Sequence, residues 1–455
     1  MFKLSNKNGA KDLTEGKPMK LILGFGLPLL FGLLFQQLYN MVDSIIVGQM
    51  LGVNSLAAVG STGSINFMIL GFCIGICNGF AIPVAQAFGA RDIENLKKYI
   101  TNSAWMSILF SIVITTVVGL LTKKILIWMK TPDTIIDEAY LYIFIVFMGI
   151  PAIFLYNIVS GILRSLGDSL TPVIFLVLSS LLNILLDIIL IKAMGVAGAA
   201  VATITAQGVS GIISLIYMTK KYKHLGFTKK DWKFSPKHCL KLCGIGVPMG
   251  LQYSITAIGS VILQTSVNAL GETIVAAVAA GTKISMFACC PFEAMGSTMA
   301  TFGGQNVGAQ KLDRVHQGLK DCLKLGIAYS VLAFVFMLLF GEKLALLFVD
   351  SSETELIHYI YRFLIGNSLF YTLLAFVNIV RFMIQGLGYS TFAILAGVCE
   401  MLARGLVGFF LVPAFGYLFV TIANPIAWLF ADIFLIPAYL YVMKRLKRKL
   451  AVSQL

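Results

Sequence analysis

The polar side chains of this sequence that are best placed for chemistry stand inside apolar stretches. Gln36, Asn40 and Asp43 are spaced i, i+4, i+7, which places them on one face of a helix. Asn183 and Asp187 have a spacing of i, i+4 in another apolar stretch. Ionisable groups in hydrocarbon are costly and usually functional. Both aspartates are therefore candidates for a functional site.

Two aspartates on different helices can form one ion site if they lie at similar depth. At 1.5 Å per residue, Asp43 lies roughly 33 Å along its helix and Asp187 roughly 27 Å along its own. Two carboxylates in one desolvated site cannot both stay ionised cheaply, so one holds a proton or a cation settles between them. Asn183 and Thr203 would add neutral oxygen ligands, which suit a hard ion such as Na+. The alternative is that each aspartate lies wet and inert at the outer interface.

The elements that position these residues must be membrane-spanning helices. Of the 455 residues, 58% are hydrophobic and 12% are charged, whereas soluble proteins carry about 25% charged residues. A helix needs about 20 apolar residues to cross the hydrocarbon core. Twelve such stretches are predicted, at about 21–48, 56–87, 99–121, 138–162, 169–191, 196–217, 244–269, 274–306, 318–340, 356–384, 390–412 and 417–443. The composition indicates an all-α polytopic membrane protein and excludes a water-soluble enzyme.

The distribution of basic residues predicts the orientation. Of the 35 Lys and Arg, 26 flank the spans on one face and 5 on the other, which predicts that both termini are cytoplasmic. The net charge of +14 follows from these loops and from contact with anionic lipid, so no nucleic-acid partner is expected. The first apolar stretch is of full spanning length without a small-x-small cleavage site, so we expect it to be uncleaved. The expected location is the cytoplasmic membrane.

The sequence contains an internal repeat. The corresponding segments are Gly24–Pro28 with Gly244–Pro248, Leu51-Gly52 with Leu270-Gly271, Gln86, Gly89 and Ala90 with Gln305, Gly308 and Ala309, and Leu166-Gly167 with Leu387-Gly388. The offset is 219 to 221 residues throughout. Two parallel six-helix bundles are predicted, at 1–217 and 244–455, with 218–243 as a cytoplasmic linker. In transporters of this type, the substrate site is expected between the halves.

A substrate cavity would need polar residues on the spans. The candidates are Gln36, Tyr39, Asn40, Asn157, Gln252, Thr256 and Glu293. Gln252 and Thr256 belong to a long uncharged stripe on the seventh span. Glu293 could touch substrate or pair with Lys283.

Other charged residues in the spans suggest pairing. Glu400 and Arg404 are spaced i, i+4, which favours a salt bridge that neutralises both. Arg381 could bind an anionic group or pair, and Asp432 has no evident partner. By the repeat offset, Ile262 or Leu263 and Gly408 correspond to the two aspartates, so the acidic pair belongs to the first half alone.

No motif points to catalysis or to a bound cofactor. The sequence lacks a G-x4-G-K-[ST] loop, and its histidines lie in loops or near span ends. His238, Cys239 and Cys243 match no common zinc spacing, which favours a reduced linker over a metal site. We therefore expect no enzyme and no cofactor, and transport would draw on an ion gradient.

The chain resembles the multidrug and toxic compound extrusion (MATE) transporters over nearly its whole length. The resemblance lies in Leu38-Tyr39-Asn40-Met41-Val42-Asp43, Leu56-Ala57-Ala58-Val59-Gly60, Val84-Ala85-Gln86-Ala87-Phe88-Gly89-Ala90, its echo Gly304-Gln305-Asn306-Val307-Gly308-Ala309, and Leu163-Arg164-Ser165-Leu166-Gly167-Asp168. It implies an antiporter that exports organic, often cationic, compounds in exchange for H+ or Na+.

The resemblance also implies roles for individual residues. In the prokaryotic branch, a first-span Asp, a fifth-span Asn and Asp and a sixth-span Thr form the coupling site, and they match Asp43, Asn183, Asp187 and Thr203. Another branch uses acids on the seventh and tenth spans. Here the seventh span is uncharged from Pro248 to Leu270, which speaks against that branch.

The prediction is therefore alternating access by two six-helix bundles that function as one monomer. Ion binding from outside would shift the first span near Pro28 and release the substrate. The nearest alternative is a lipid-linked oligosaccharide flippase of the same broader superfamily, which would be expected to carry more cationic residues in its cavity. A membrane-embedded enzyme or a receptor is a more distant alternative.

Overall fold

The structure is a computed structural model that describes residues 11–129 and 131–453, the side chains of 53, 56 and 453 excepted. Over these ranges the chain is helical and contains no β-strand. This confirms the predicted all-α fold.

Long apolar runs form the helices of the first half. They are α1 (Pro18–Leu51), α2 (Val53–Ser61), α3 (Gly63–Gly89), α4 (Ile93–Trp128), α5 (Ile136–Met148), α6 (Ile150–Ser165), α7 (Leu170–Met194) and α8 (Val196–Lys221). Local side-chain chemistry sets their ends. Asp92 caps α4 by accepting a hydrogen bond from the Asn95 N–H (3.0 Å). Gly195, with φ of 62°, separates α7 from α8 because glycine tolerates positive φ.

The helices of the second half repeat this order. They are α9 (Pro236–Asn268), α10 (Glu272–Gly308), α11 (Leu312–Ala345), α12 (Thr354–Ser368), α13 (Tyr371–Gly386), α14 (Thr391–Leu406), α15 (Val412–Phe415) and α16 (Tyr417–Ser453). A π-helical turn at Val407–Leu411 joins α14 to α15. A short 3-10 helix at Lys223–Leu225 precedes α9.

The number of candidate membrane spans agrees with the predicted twelve if two bent pairs each cross once. In the described part of the chain, ten helical segments are long and apolar enough to cross a membrane. The α5–α6 pair bends by 45° and the α12–α13 pair by 49°. Side chains such as Leu120 (78% exposed) and Phe410 (67% exposed) are too apolar to face water over so large a surface. The chain is a polytopic membrane protein.

The predicted second stretch, 56–87, is two helices that meet at Thr62. The Thr62 hydroxyl donates to the Val59 carbonyl (2.7 Å) and the Ser61 hydroxyl donates to the Ala58 carbonyl (2.8 Å). Such local bonds compete with the helical ladder, which explains the break.

The internal repeat is visible in the backbone. Positive φ recurs at Gly52 (85°) and Gly271 (102°), Arg91 (57°) and Gln310 (60°), Gly167 (88°) and Gly388 (89°), and Gly195 (62°) and Gly416 (66°). The separations are 219 residues for the first two pairs and 221 for the last two. The rare conformations therefore follow the offsets of the repeated sequence segments.

The described residues form two compact units. The first comprises 11–12 and 27–251, and the second comprises 13–26 and 252–453. Each unit thus includes the first part of one long helix whose remainder belongs to the other unit, α9 for the first and α1 for the second. The predicted bundles, 1–217 and 244–455 with the linker 218–243, stay a prediction.

In the first unit, glycines bring α3 and α9 into close contact. A Cβ atom at Gly79 would lie 2.4 Å from the Gly246 Cα atom, and one at Gly75 would lie 2.7 Å from the Gly250 Cα atom. Both helices thus present a small-xxx-small pair, which permits close backbone approach in membranes. This contact holds the first turns of α9 within the first unit.

The linker also packs on the first unit. The Thr101 hydroxyl donates to the Asp231 carbonyl (2.6 Å). The Asp231 carboxylate accepts from the Thr228 N–H (2.7 Å) and hydroxyl (2.8 Å). These hydrogen bonds hold the pKa of Asp231 below its usual value.

In the second unit, the residues before α1 lie on the α10–α11 junction. The Leu13 N–H donates to Gln305 Oε1 (2.9 Å), and the Arg314 guanidinium donates to the Gly16 carbonyl (2.8 Å). Leu13 is fully buried. The segment from Leu13 to Gly16 is therefore an integral part of this unit.

Candidate functional site

The predicted ion-site residues come together in the first unit. Asp43 lies on α1, Asn183 and Asp187 on α7, and Thr203 on α8. Asn183 (1% exposed) and Asp187 (fully buried) face the interior. Asp43 and Thr203 are half-buried. Four residues that are up to 160 positions apart in sequence thus share one cluster.

Asn183 is the centre of the hydrogen-bond network. With its amide nitrogen facing the acidic group, Asn183 Nδ2 donates to Asp187 Oδ2 (3.2 Å) and to the Tyr39 hydroxyl (3.0 Å). Its Oδ1 atom accepts from the Thr203 N–H (3.0 Å). In this orientation both polar atoms of the amide are directed at the cluster.

The carboxyl groups of Asp43 and Asp187 lie within direct interaction range of each other. A hydrogen bond between two carboxyl groups requires that one of them holds the proton. The Oδ1 atom of each is buried without a hydrogen-bond partner. Two orphaned acceptor atoms in one buried cluster form a natural place for H+ or a small cation.

Two tyrosines complete the cluster. The Tyr39 hydroxyl also lies close to the Thr203 side chain. Tyr142 on α5 is buried and lies within electrostatic reach of both aspartates. From sequence, Tyr39 is predicted to line the substrate cavity, whereas Tyr142 is not predicted, because a tyrosine in the run Ala139-Tyr140-Leu141-Tyr142 carries no spacing signal.

The ion pairs of the described residues leave the acidic cluster without a basic partner. Among the described residues, no lysine or arginine forms an ion pair with Asp43 or Asp187. A buried carboxylate without a partner is strongly unfavourable. The arrangement can therefore take up a proton or bind a monovalent cation such as Na+.

The predicted substrate-lining residues are found in diverse surroundings. Gln36, Asn40 and Glu293 are exposed on their helices. The Asn157 amide donates to the Ile153 carbonyl of its own helix (2.8 Å). Gln252 is buried and accepts from Gln385 Nε2 (3.3 Å). Thr256 is half-buried, with a hydroxyl that lacks a partner.

The second unit contains a separate charged cluster. Arg404 Nη2 lies 3.4 Å from Glu400 Oε2, which confirms the predicted i, i+4 salt bridge. Arg381 Nη2 pairs with Glu400 Oε1. Asp432 is buried and neither of its carboxyl oxygens has a hydrogen-bond partner.

His238 has a structural role at the beginning of α9. Its Nδ1 atom lies 2.7 Å from the Ser235 hydroxyl and its Nε2 atom 2.9 Å from Asn95 Oδ1. The Cys239 thiol lies 3.3 Å from Asn102 Oδ1. Both ring nitrogens are thus engaged in holding the linker against α4.

Comparison with known proteins identifies the family. The family model MatE matches residues 28–189 and again residues 248–410, which agrees with the internal repeat. The chain is 29% identical to the probable multidrug resistance protein YpnP of Bacillus subtilis over 88% of both chains. It is 23% identical to a FAD transporter of Shewanella oneidensis over 73% of this chain and 75% of that one.

A solved structure has the same fold. The crystal structure of MATE in complex with MaL6 superposes with a TM-score of 0.90 at 25% identity and covers 97% of this chain and 100% of that chain. The twofold family match extends over more than half of this sequence. The chain therefore belongs to the MATE family of multidrug efflux transporters.

Proposed function

We propose that the protein is a secondary active antiporter that exports organic, often cationic, compounds in exchange for H+ or Na+. The observation that carries the proposal is the Asp43–Asp187 pair, whose carboxyl groups lie within direct interaction range of each other and, in the part of the chain that the structure describes, form no ion pair with a lysine or arginine. A site of this kind changes its charge whenever it gains or loses an ion. That change supplies the coupling between an ion gradient and the state of the bundle.

The residues of the cluster divide the task. Asp43 and Asp187 bind the ion, and Asn183 fixes the orientation of Asp187 through its Nδ2 atom. Thr203 supplies a neutral oxygen. Pro28 lies inside α1 and removes one backbone hydrogen bond, so α1 can change shape there when the ion binds at Asp43.

The supporting context is that of an ion-driven transporter in the cell membrane. Movement of one charge across 100 mV supplies about 2.3 kcal/mol, which suffices for uphill export. Both termini would lie in the cytoplasm, and one chain, with both repeats, would suffice for transport. The family relatives named for multidrug resistance support small organic substrates.

The test is dye efflux in proteoliposomes that contain the full chain. Ethidium serves as the cationic probe, and a pH gradient and a Na+ gradient are imposed separately. We expect efflux under at least one gradient, and we expect Asp43→Asn and Asp187→Asn to reduce it to the level of empty liposomes. Asp137→Asn, which changes an exposed carboxylate at the beginning of α5, is the matched control and should retain efflux.

Two results would reject the proposal. The first is efflux that persists in both Asp→Asn variants. The second is the lack of gradient-driven flux with ethidium. FAD is included as an anionic probe because one relative is named a FAD transporter, and lipid-linked oligosaccharide is included for the flippase alternative.

A further inference from the structure

The backbone shows which residues of the second repeat correspond to those of α7 and α8. Helix α7, Leu170–Met194, and the segment Thr391–Phe415 begin and end 221 residues apart. Gly195 and Gly416, which follow them, have φ of 62° and 66°. Every residue of the ion cluster on α7 and α8 therefore has a defined counterpart in the second unit.

The counterpart of the ion cluster contains arginine. Asn183 corresponds to Arg404 and Thr203 to Asn424. In the first unit, Asn183 Oδ1 accepts from the Thr203 N–H (3.0 Å). In the second unit, the Arg404 Nε atom donates to Asn424 Oδ1 (3.3 Å). The same two positions are hydrogen-bonded in both repeats, with a guanidinium in place of the amide in the second.

The positions around Arg404 include glycines that leave room for its side chain. The repeat offset along α1 is 219 or 220, so Tyr39 corresponds to Ile258 or Gly259. A Cβ atom at Gly259 would lie 3.0 Å from the Met401 Cα atom and 3.5 Å from Arg404 Cδ. Asp187 corresponds to Gly408, where a Cβ atom would lie 2.8 Å from the Ser266 hydroxyl. Gly408 also lies in the π-helical turn that follows α14. Neither position thus carries a tyrosine or an aspartate, and the aliphatic stem of Arg404 lies beside Gly259.

The two clusters also differ in their balance of positive and negative side chains. Arg381 and Arg404 both pair with Glu400, and Asp432 lies within electrostatic reach of Arg381. Two guanidinium groups therefore face two carboxyl groups, and all four side chains are buried. Among the described residues, no lysine or arginine forms an ion pair with the two carboxyl groups of the first cluster. A balanced cluster needs no ion from solution, whereas an unbalanced one does.

We propose that the second unit contains a closed counterpart of the ion site, in which the Arg404 guanidinium takes the place of the exchangeable cation. The protein carries two versions of one site, and only the first exchanges its cation. This inference rests on the proposed function and adds to it that the ion site of the second unit is permanently filled. Removal of the guanidinium should then create a vacant site for a small organic cation.

The test measures ligand-dependent thermal stability and requires no transport. All variants carry Asp187→Asn, so the ion site of the first unit is disabled. Arg404→Ala is added to this background, and the purified full chain is unfolded in detergent with increasing methylguanidinium chloride or sodium chloride. Arg362→Ala is the matched control, because Arg362 lies over the Tyr417 ring of the same unit outside the cluster.

We expect Arg404→Ala to lower the unfolding temperature and to gain a saturable rise with methylguanidinium. At ten times the dissociation constant the rise should be about 2 °C or more. The Asp187→Asn parent and Arg362→Ala should show no such rise. Addition of Glu400→Gln to Arg404→Ala should abolish it, because the anionic partner of the guanidinium is lost.

Other outcomes would overturn the inference. An Arg404→Ala variant that binds no methylguanidinium, or that binds it equally well without Glu400, shows that Arg404 fills no cation site. If Arg404→Ala does not fold, Arg404→Lys and Arg404→Gln are compared. Arg404→Lys, which retains the positive charge, should preserve the unfolding temperature, and Arg404→Gln, which loses it, should lower it. Equal unfolding temperatures of these two variants reject the proposal. None of these results depends on efflux, so the proposed function can fail or succeed independently.

Discussion

At the scale of single residues, the ion cluster depends on how Asn183 is held. Its amide contacts Asp187, Tyr39 and Thr203 at 3.0 to 3.2 Å. The Tyr39 hydroxyl lies between the amide of α7 and the Thr203 side chain of α8. It therefore orients the group that in turn orients the acid.

This gives a prediction for Tyr39→Phe. Loss of one hydrogen bond of about 1 kcal/mol should weaken ion binding roughly five-fold. We expect the ion concentration for half-maximal efflux to rise by that factor, with little change in the maximal rate. The control is Tyr156→Phe, whose hydroxyl donates instead to the Pro172 carbonyl (3.1 Å). Equal half-maximal concentrations in the two variants would show that the Tyr39 hydroxyl has no role in the site.

Part of this site could be predicted from sequence. The acids and Asn183 are evident because charged and amide groups are rare and costly inside apolar stretches. The spacing of Gln36, Asn40 and Asp43 predicts a shared helix face, yet the side chains of Gln36 and Asn40 are exposed. Spacing shows which residues share a face of a helix, but it does not show which part of that face packs against other helices. Tyr142 could not be predicted because its position depends on how α5 packs.

At the scale of helices, the sequence predicted the spans well because hydrophobic length is a local property. The bend between α5 and α6 has a sequence signal in Pro151, which lies in the first turn of α6. The bend between α12 and α13 has only a weak signal in Gly366-Asn367-Ser368, which precede two ordinary apolar residues, Leu369 and Phe370, at the break. There Asn367 Nδ2 bonds the Thr421 carbonyl of α16 (3.2 Å), a tertiary contact that local patterns do not contain.

The close contact of α3 with α9 leads to a prediction at this scale. A Cβ atom at Gly246 would lie 2.6 Å from the Phe80 ring, whereas one at Gly244 would meet nothing within 4 Å. We expect Gly246→Val to lower the unfolding temperature and the yield of monodisperse protein, with a cost of about 1–3 kcal/mol for overpacking. Gly244→Val introduces the same side chain two positions earlier and should behave like the wild type. Similar losses in both variants would indicate an effect of valine on the helix itself.

At the scale of the whole molecule, duplication explains the repeated backbone conformations, and divergence of the two halves explains why their buried clusters differ. Positive φ recurs at equivalent positions of the two halves, so the backbone has retained its turns. The chemistry has not been retained, since the acidic pair lies in the first half and the arginine cluster in the second. The sequence offset could predict the shared backbone, whereas the composition of each buried cluster follows from packing within its own unit.

The topology of the whole chain depends on whether the bent α5–α6 pair crosses the membrane once. If this bent pair crosses the membrane once, the linker with its eight Lys and Arg residues within 218–243 lies on the same side as the N-terminus. If it returned to its own side, the linker would lie opposite, against the charge bias. We expect green fluorescent protein fused after Lys230 or after Leu455 to fluoresce, and alkaline phosphatase at the same positions to be inactive. Alkaline phosphatase fused after Thr131 should be active, which provides the control for the opposite side. An active phosphatase after Lys230 would show that α5 and α6 do not form one span and that the twelve-span topology is wrong.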